Sequence, residues 1–511
     1  MELEKYHSIH GFLSNSSSII IIFIIIILLS LLFFVIFPLI FMIKKIYFHC
    51  KCKVCLAYVT SSWSPKFANL CDWYTQLLKT SRTKTIHVHV LNNIITANPE
   101  NVEYMLKTNF DNYPKGKPFS SILGDLLGRG IFNVDGDAWR FQRKMASFEL
   151  DKQSVRSFSF DVVRTEVDHR LMPYMAKKAA QGLILDFQQT FRVFSFNTIC
   201  KFSFGVDIGQ LEQTYPSLEQ FSASFDIAST LSAQRALEVC SVAWKVKRFL
   251  GVGAEKRLKE AIKNIDGLAM EVIRLRRKLR SAQQKDLLSR FMVMVKNDDK
   301  YLRDIIVSFL LAGRDTMASA LTSFFFLAAR HPHVESAILL EADKVLGPSQ
   351  KVSQFDQVRE LQYLQAAIYE SMRVYPPVQF DSKFSLRDDV LPDGTRVRKG
   401  SRVTYHPYAM GRMEEIWGTD CLEYRPERWL NADGMFCQES PFKYPIFQGG
   451  FRVCLGKEMA VVEMKCVILS ILREFHIELA NPNSYDQGPL FSPGLTATYK
   501  DGLPVLLHRR K

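Results

Sequence analysis

The sequence predicts a mainly α-helical protein with a minor β region, preceded by one membrane-spanning helix. Three observations lead there. A long apolar run occupies Ile19 to Ile43. From about Asp137 to Arg330 the pattern is helical, with few glycines and prolines. Beyond Pro376 the chain breaks into short segments punctuated by Pro392-Asp393-Gly394 and Pro493-Gly494.

The apolar run is interrupted only by Ser30 and Pro38, and it is long enough to cross a bilayer as a helix with some tilt. A cleaved leader would have a shorter apolar core, a basic leading end and a small-residue cleavage site. Here Glu2, Glu4 and Lys5 precede the run, and Lys44, Lys45, Lys51 and Lys53 follow it. The positive-inside rule then puts the bulk of the chain in the cytosol. The expected division is a short lumenal tail (1–18), an anchor (19–43), a basic cysteine-containing linker (44–60) and a cytosolic domain (61–511). Asn15-Ser16-Ser17, a glycosylation sequon, falls in the tail.

Ten scattered cysteines argue against a disulfide-stapled secreted domain. Three of them, Cys50, Cys52 and Cys55, cluster in the linker. A zinc site would want a second ligand pair at finger-like spacing, and none follows nearby, so free thiols are expected, with palmitoylation as the juxtamembrane alternative. The net charge of +14 is compatible with nucleic acid, an anionic membrane or an acidic protein partner. The densest basic run, Arg274 to Arg280, shares a helical pattern with Ile273, Leu275 and Leu279 and reads as a solvated helix face. No nucleic-acid motif accompanies it, and no nucleic-acid partner is expected.

Further along, Thr85 to Val90 alternates as a strand, Asn92-Asn93 turns, and Ile94-Ile95-Thr96 forms a second strand. Asn98-Pro99 then caps a helix.

The strongest chemical signal is Phe447-Gln448-Gly449-Gly450-Phe451-Arg452-Val453-Cys454-Leu455-Gly456. A thiolate ligand to haem iron donates electron density to the metal and needs backbone N–H groups close by. Glycines permit that approach, and Arg452 supplies a fixed cation for a haem propionate. Met459 to Leu472 continues as a helix. A second element, Ala312-Gly313-Arg314-Asp315-Thr316, lies inside a long helix beginning near Tyr301. A threonine hydroxyl there can position a water, an adjacent acid can relay protons, and Ser308, Ala312 and Thr316 share a face at α-helical spacing.

With these motifs the chain resembles the cytochrome P450 family over essentially everything past Ser61. Gly128 to Phe132, Trp139 to Lys144, Pro377 to Phe384 and Thr404 to Arg412 are most similar to the plant branch that oxidises fatty acids at or near the terminal carbon. That branch includes oxidases of jasmonoyl-amino-acid conjugates. The juxtamembrane cysteines and Ser61-Ser62-Trp63 most resemble the type that carries 12-hydroxy-jasmonoyl-isoleucine to its carboxylic acid.

The resemblance implies a P450 fold and a haem b whose axial ligand, and the protein's metal ligand, is Cys454. Trp139, Arg143, Lys383, Phe447, Arg452 and Gly456 would hold the cofactor, and Asp315 and Thr316 would be catalytic. Glu370, Arg373 and Arg428 would form a structural ion-pair triad. Phe119, Ile122, Phe132, Val307, Leu311, Ala312, Phe380 and Leu495 would contact substrate, and Lys115, Lys117 or Arg129 would meet its carboxylate at the pocket mouth. Gly313 would open a groove, Phe451 stands where relatives carry proline or a small residue, and Ala312 stands where animal ω-hydroxylases carry a haem-esterifying glutamate. The implied partners are NADPH-cytochrome P450 reductase, an acyl or jasmonoyl-conjugate substrate and the endoplasmic reticulum membrane. A hydroperoxide-isomerising haem-thiolate enzyme and a non-catalytic haem-binding protein are the alternatives.

Overall fold

A computed structural model of the chain describes residues 21–37, 40, 50, 52–150, 153–207, 209, 211, 218–279, 286–295, 298–348, 350, 354–486 and 488–510. The expected lumenal tail with its sequon lies outside them. Ile21–Phe34 is an apolar helix whose large side chains are exposed along its length; Ile22 and Phe23 are examples. It continues as a π-helical segment, Leu32–Ile36.

The expected strand pair forms as Thr85–Val88 and Asn93–Thr96, joined by a turn in which Asn92 adopts positive φ. These two strands edge a four-stranded sheet. Asn93–Thr96 pairs in parallel with Arg402–Tyr405, which pairs antiparallel with Asp381–Phe384. Asn98 caps the next helix by accepting from the Glu100 N–H. A second sheet joins Leu185–Asp186, Pro504–Arg509 and Phe475–Leu479.

Helices make up the rest. Thr316–Arg330 is buried along most of its length among Phe187–Phe204, Gln362–Val374 and Lys457–Glu474 in one apolar core, where Phe187, Phe191 and Phe325 contact ring to ring. The long helix Asp299–Arg330 could cross a membrane by length and composition, but its burial makes it the central core element. A second apolar cluster sits under Leu218–Leu237, Gly253–Lys278 and Asp299–Leu310.

Two expectations need correction. The basic run is only partly solvated: Arg274 and Arg277 are exposed, but Arg276 is buried against Asp286 and Ser289, because an ion pair offsets the desolvation of its guanidinium. Within the expected linker, Lys53–Thr60 is a helix that packs onto the four-stranded sheet. Cys55 is fully buried there, and the Tyr58 hydroxyl donates to the Leu237 carbonyl at 2.7 Å.

Candidate functional site

The site lies where the core helix, the first sheet and the cysteine loop converge. Between Leu310 and Thr316 the core helix takes a π turn, Leu311–Asp315. The extra residue shifts the face beyond it, so Leu311, Ala312 and Thr316 line a cavity of about 830 Å³ together. Ser308 does not join them. It is buried against the Gly128-Arg129-Gly130 turn, where a Cβ on Gly130 would lie 2.0 Å from its Oγ. Gly128, at positive φ, leaves room for the Asp304 carboxylate, which accepts from the Arg129 N–H at 2.8 Å. The Thr316 hydroxyl donates to the Ala312 carbonyl at 2.5 Å. Gly313 faces Ile199, where a Cβ would lie 2.5 Å from the Ile199 Cδ1; its smallness serves helix packing.

Asp315 does not line the cavity. It is buried and accepts from the Arg314 guanidinium at 2.5 Å. Arg314 also reaches Asp226 (3.1 Å) and Ser222 (2.7 Å), and Asp226 pairs with Arg192 at 2.8 Å. Burial raises the Asp315 carboxyl's pKa, against the pull of Arg314. The chain of charges ends at Asp226, whose side chain is 33% exposed and so touches solvent.

Cys454 sits in a loop shaped by backbone geometry. Gln448 and Gly450 have positive φ, and a Cβ on Gly450 would meet the Leu106 carbonyl at 2.0 Å. The Cys454 N–H donates to the Phe447 carbonyl at 2.8 Å, and Gly456 then starts the helix Lys457–Glu474. Burial among protein atoms raises the thiol's pKa, while the Gly456 N–H and the charges of Arg143 and Lys457 lower it. Even so, Cys454 and Val453 remain accessible. Phe451 packs on Phe110 at 5.1 Å, and Phe110 on Trp139 at 5.7 Å, which accommodates the larger side chain.

Arg452 stacks over the Trp139 ring at 4.6 Å and binds Asp135 at 2.7 Å, yet its buried Nε has no partner. An orphaned buried guanidinium donor beside an open thiol fits an anionic prosthetic group. Nearby, Asp381 is shared by Lys115 (2.5 Å) and Lys383 (2.9 Å), and also accepts from the Tyr405 hydroxyl at 3.1 Å. Burial would raise Asp381's pKa, but the two lysines outweigh it and hold the carboxyl well below the usual range. Burial, with the neighbouring Lys115 and Arg452, pulls Lys383 down to about 7 against Asp381, so an anion bound here would stabilise its charged form. Residues that fit a haem are therefore Cys454, Arg452, Trp139, Phe447, Gly456 and Lys383, with Arg143 one helical turn after Trp139.

The triad is assembled and buried. Arg373 forks onto Glu370 at 2.7 and 2.8 Å, Arg428 reaches the same carboxylate at 3.1 Å, and the Trp429 indole N–H adds 2.9 Å. Arg373 also donates to the backbone carbonyls of Cys421 and Glu423, tying the triad to the loop ahead of the cysteine segment.

Of the expected substrate contacts, Phe119, Ile122, Phe132, Leu311, Ala312, Phe380 and Leu495 line the cavity. Val307 does not; it is fully buried in the second apolar cluster, behind the residues that line the cavity. The three proposed carboxylate readers also fail as drawn. Lys115 lines the cavity but is buried and committed to Asp381. Arg129 pairs with Asp298 at 2.7 Å and lies off the cavity, and Lys117 is exposed away from it.

One cation was not anticipated. Arg402 is buried in the cavity wall, donates to Ser382 (2.8 Å) and to the Ala236 carbonyl (2.9 Å), and has no carboxylate partner among the described residues. Nothing in its neighbourhood along the chain marks it, because its partners lie on a strand 20 residues back and on the end of a remote helix. The cavity-lining Tyr58 was missed for the same reason, since its hydroxyl donates to the remote Leu237 carbonyl; Arg314 and Trp63 lie in motifs visible in the sequence, but nothing there marks their roles.

Residues 71–496 match the profile of the family described as Cytochrome P450. The chain is 55% identical to Cytochrome P450 94C1 of Arabidopsis thaliana over 479 residues, 93% of this chain and 96% of that one. It is 45% identical to Cytochrome P450 94B1 of the same plant, covering 86% and 88% of the two chains. It is also 41% identical to Cytochrome P450 94A2 of Vicia sativa, covering 86% and 87%. The chain thus belongs to the cytochrome P450 family, as a monooxygenase carrying cysteine-ligated haem, supplied with electrons by a reductase and acting on a small molecule.

Proposed function

We propose that this enzyme oxidises the terminal carbon of a carboxylate-bearing acyl substrate, a fatty acid or the jasmonoyl-isoleucine conjugate in its 12-hydroxy form. The observation that carries this reading is the cavity itself. Its wall is largely apolar, runs past Thr316, and contains one buried guanidinium, Arg402, without a carboxylate of its own. A long apolar chain with one acidic end matches that wall, since burying an unpaired cation is costly unless a ligand anion meets it.

Cys454 is the proposed iron ligand, and Arg452, Trp139, Arg143 and the Lys115–Asp381–Lys383 cluster hold the propionates. When bound, haem supplies reductive activation of dioxygen and insertion of one oxygen atom into a C–H bond. Thr316 turns its hydroxyl proton from the Ala312 carbonyl toward the cavity. Asp315, held by Arg314 in a buried network that reaches solvent at Asp226, would return a proton to it; the arginine stays charged and serves to position the acid. Such a device suits a monooxygenase and has no use in hydroperoxide isomerisation.

The exposed apolar helix Ile21–Phe34 and the lysines that follow the apolar run support a single-pass anchor in the endoplasmic reticulum membrane, with the domain cytosolic and NADPH-cytochrome P450 reductase as electron donor. The test is reductase-dependent NADPH consumption with fatty acids, jasmonoyl-isoleucine and its 12-hydroxy form, with products identified by mass. Oxidation placed mid-chain, or turnover confined to substrates without a carboxylate, would overturn the reading.

A further inference from the structure

Outside the catalytic site, one cluster gathers four metal-binding side chains. The sulfurs of Cys50, Cys52 and Cys55 and the Nδ1 of His89 all lie within 4.8 Å of one another. The sequence hides this, because the fourth group arrives 34 residues after Cys55, just beyond the strand Thr85–Val88 at the edge of the four-stranded sheet.

The spacing is that of a coordination shell. Nδ1 stands 3.2, 3.9 and 3.9 Å from the sulfurs of Cys50, Cys52 and Cys55. Tetrahedral zinc, with Zn–S of about 2.3 Å and Zn–N of about 2.0 Å, sets S···N edges of about 3.5 Å and S···S edges of about 3.8 Å. Hydrogen bonding alone gives no reason for the convergence, since one imidazole nitrogen serves one sulfur, not three. Backbone N–H groups support the sulfurs as they do in thiolate sites: Cys52 N–H donates to the Cys50 sulfur and Cys55 N–H to the Cys52 sulfur, both at 3.4 Å. The His87 ring packs 3.9 Å from that of His89 and holds it in orientation.

We propose that Cys50, Cys52, Cys55 and His89 bind a structural zinc ion that clips the start of the domain to its sheet. Four protein ligands close the shell, so the ion has no open position for catalysis. Cys52 caps the helix Lys53–Thr60, whose last turns supply Tyr58 and Val59 to the cavity wall. The clip therefore fixes both Cys50, at the start of the domain, and one wall of the substrate cavity.

The experiment uses the full-length holoenzyme in detergent, purified without a metal-affinity tag and dialysed against chelator. Elemental analysis is expected to give one zinc per haem iron, and zinc-edge X-ray absorption to give three sulfurs and one nitrogen. His89→Ala and the Cys50→Ser/Cys52→Ser double variant should lose the zinc, while Cys437→Ser keeps it. If the ligand variants fail to fold, the wild-type stoichiometry and absorption spectrum still decide. Wild-type protein with full haem but no zinc, zinc removed by the chelator or unaffected by the variants (an adventitious ion only), or a disulfide or acyl group on these cysteines would overturn the proposal.

Discussion

Replacing Arg402 with methionine removes a buried cavity cation that lacks a carboxylate partner among the described residues, while keeping an unbranched side chain of similar length. A charge-assisted hydrogen bond contributes ~1.5–3 kcal/mol, so its loss from the substrate complex should raise KM for free acids by about 10- to 150-fold. The methyl ester, which carries no charge, should change far less. Folding also has a cost. Ser382 keeps its bond to Thr404, but the Ala236 carbonyl loses its donor, a penalty of ~1–3 kcal/mol in stability. Arg402→Gln separates the two effects by retaining a donor for that carbonyl without the charge. The assay is steady-state turnover of matched acid and ester, normalised to the haem-thiolate carbon-monoxide spectrum so that unfolded protein is not counted. If the acid-to-ester ratio of KM values stays at the wild-type figure in both variants, the carboxylate is not held by Arg402.

Two further outcomes follow from the geometry. Thr316→Ala should keep haem and substrate binding but divert reducing equivalents to peroxide, cutting product per NADPH by about tenfold or more; an unchanged ratio would remove Thr316 from proton delivery. Glu463 is raised by burial from 4.5 to about 8, so the fold keeps it protonated where the unfolded chain ionises. Its carboxyl therefore costs stability progressively as pH rises from about 4.5 through about 8, and Glu463→Gln should unfold at a higher temperature than wild type at pH 8.5 but not at pH 4. Melting curves that shift in parallel at both pH values would contradict this.

What the sequence disclosed depended on distance along the chain. The cysteine loop, the Glu370–Arg373 pair and the strand pair at 85–96 are local patterns, and all three form, although the first strand stops at Val88 and the second takes in Asn93. The apolar contacts inferred from resemblance mostly reach the cavity. Val307 and the expected Ser308–Ala312–Thr316 face failed together, since a π turn at Leu311–Asp315 carries no hydrophobic-periodicity signal yet rotates everything beyond it. The carboxylate readers failed because charge was visible in sequence but pairing was not: Asp381 and Asp298 lie more than 160 residues from Lys115 and Arg129. Arg402 and His89 became legible only when the sheet brought them beside partners from other segments.

The central claim is that Cys454 ligates the haem, and Cys454→Ser tests it most directly. Serine is a harder and less electron-donating ligand, so the reduced carbon-monoxide complex of the variant should lose the red-shifted band characteristic of thiolate ligation. A variant that retains that band unchanged would show that another group holds the iron.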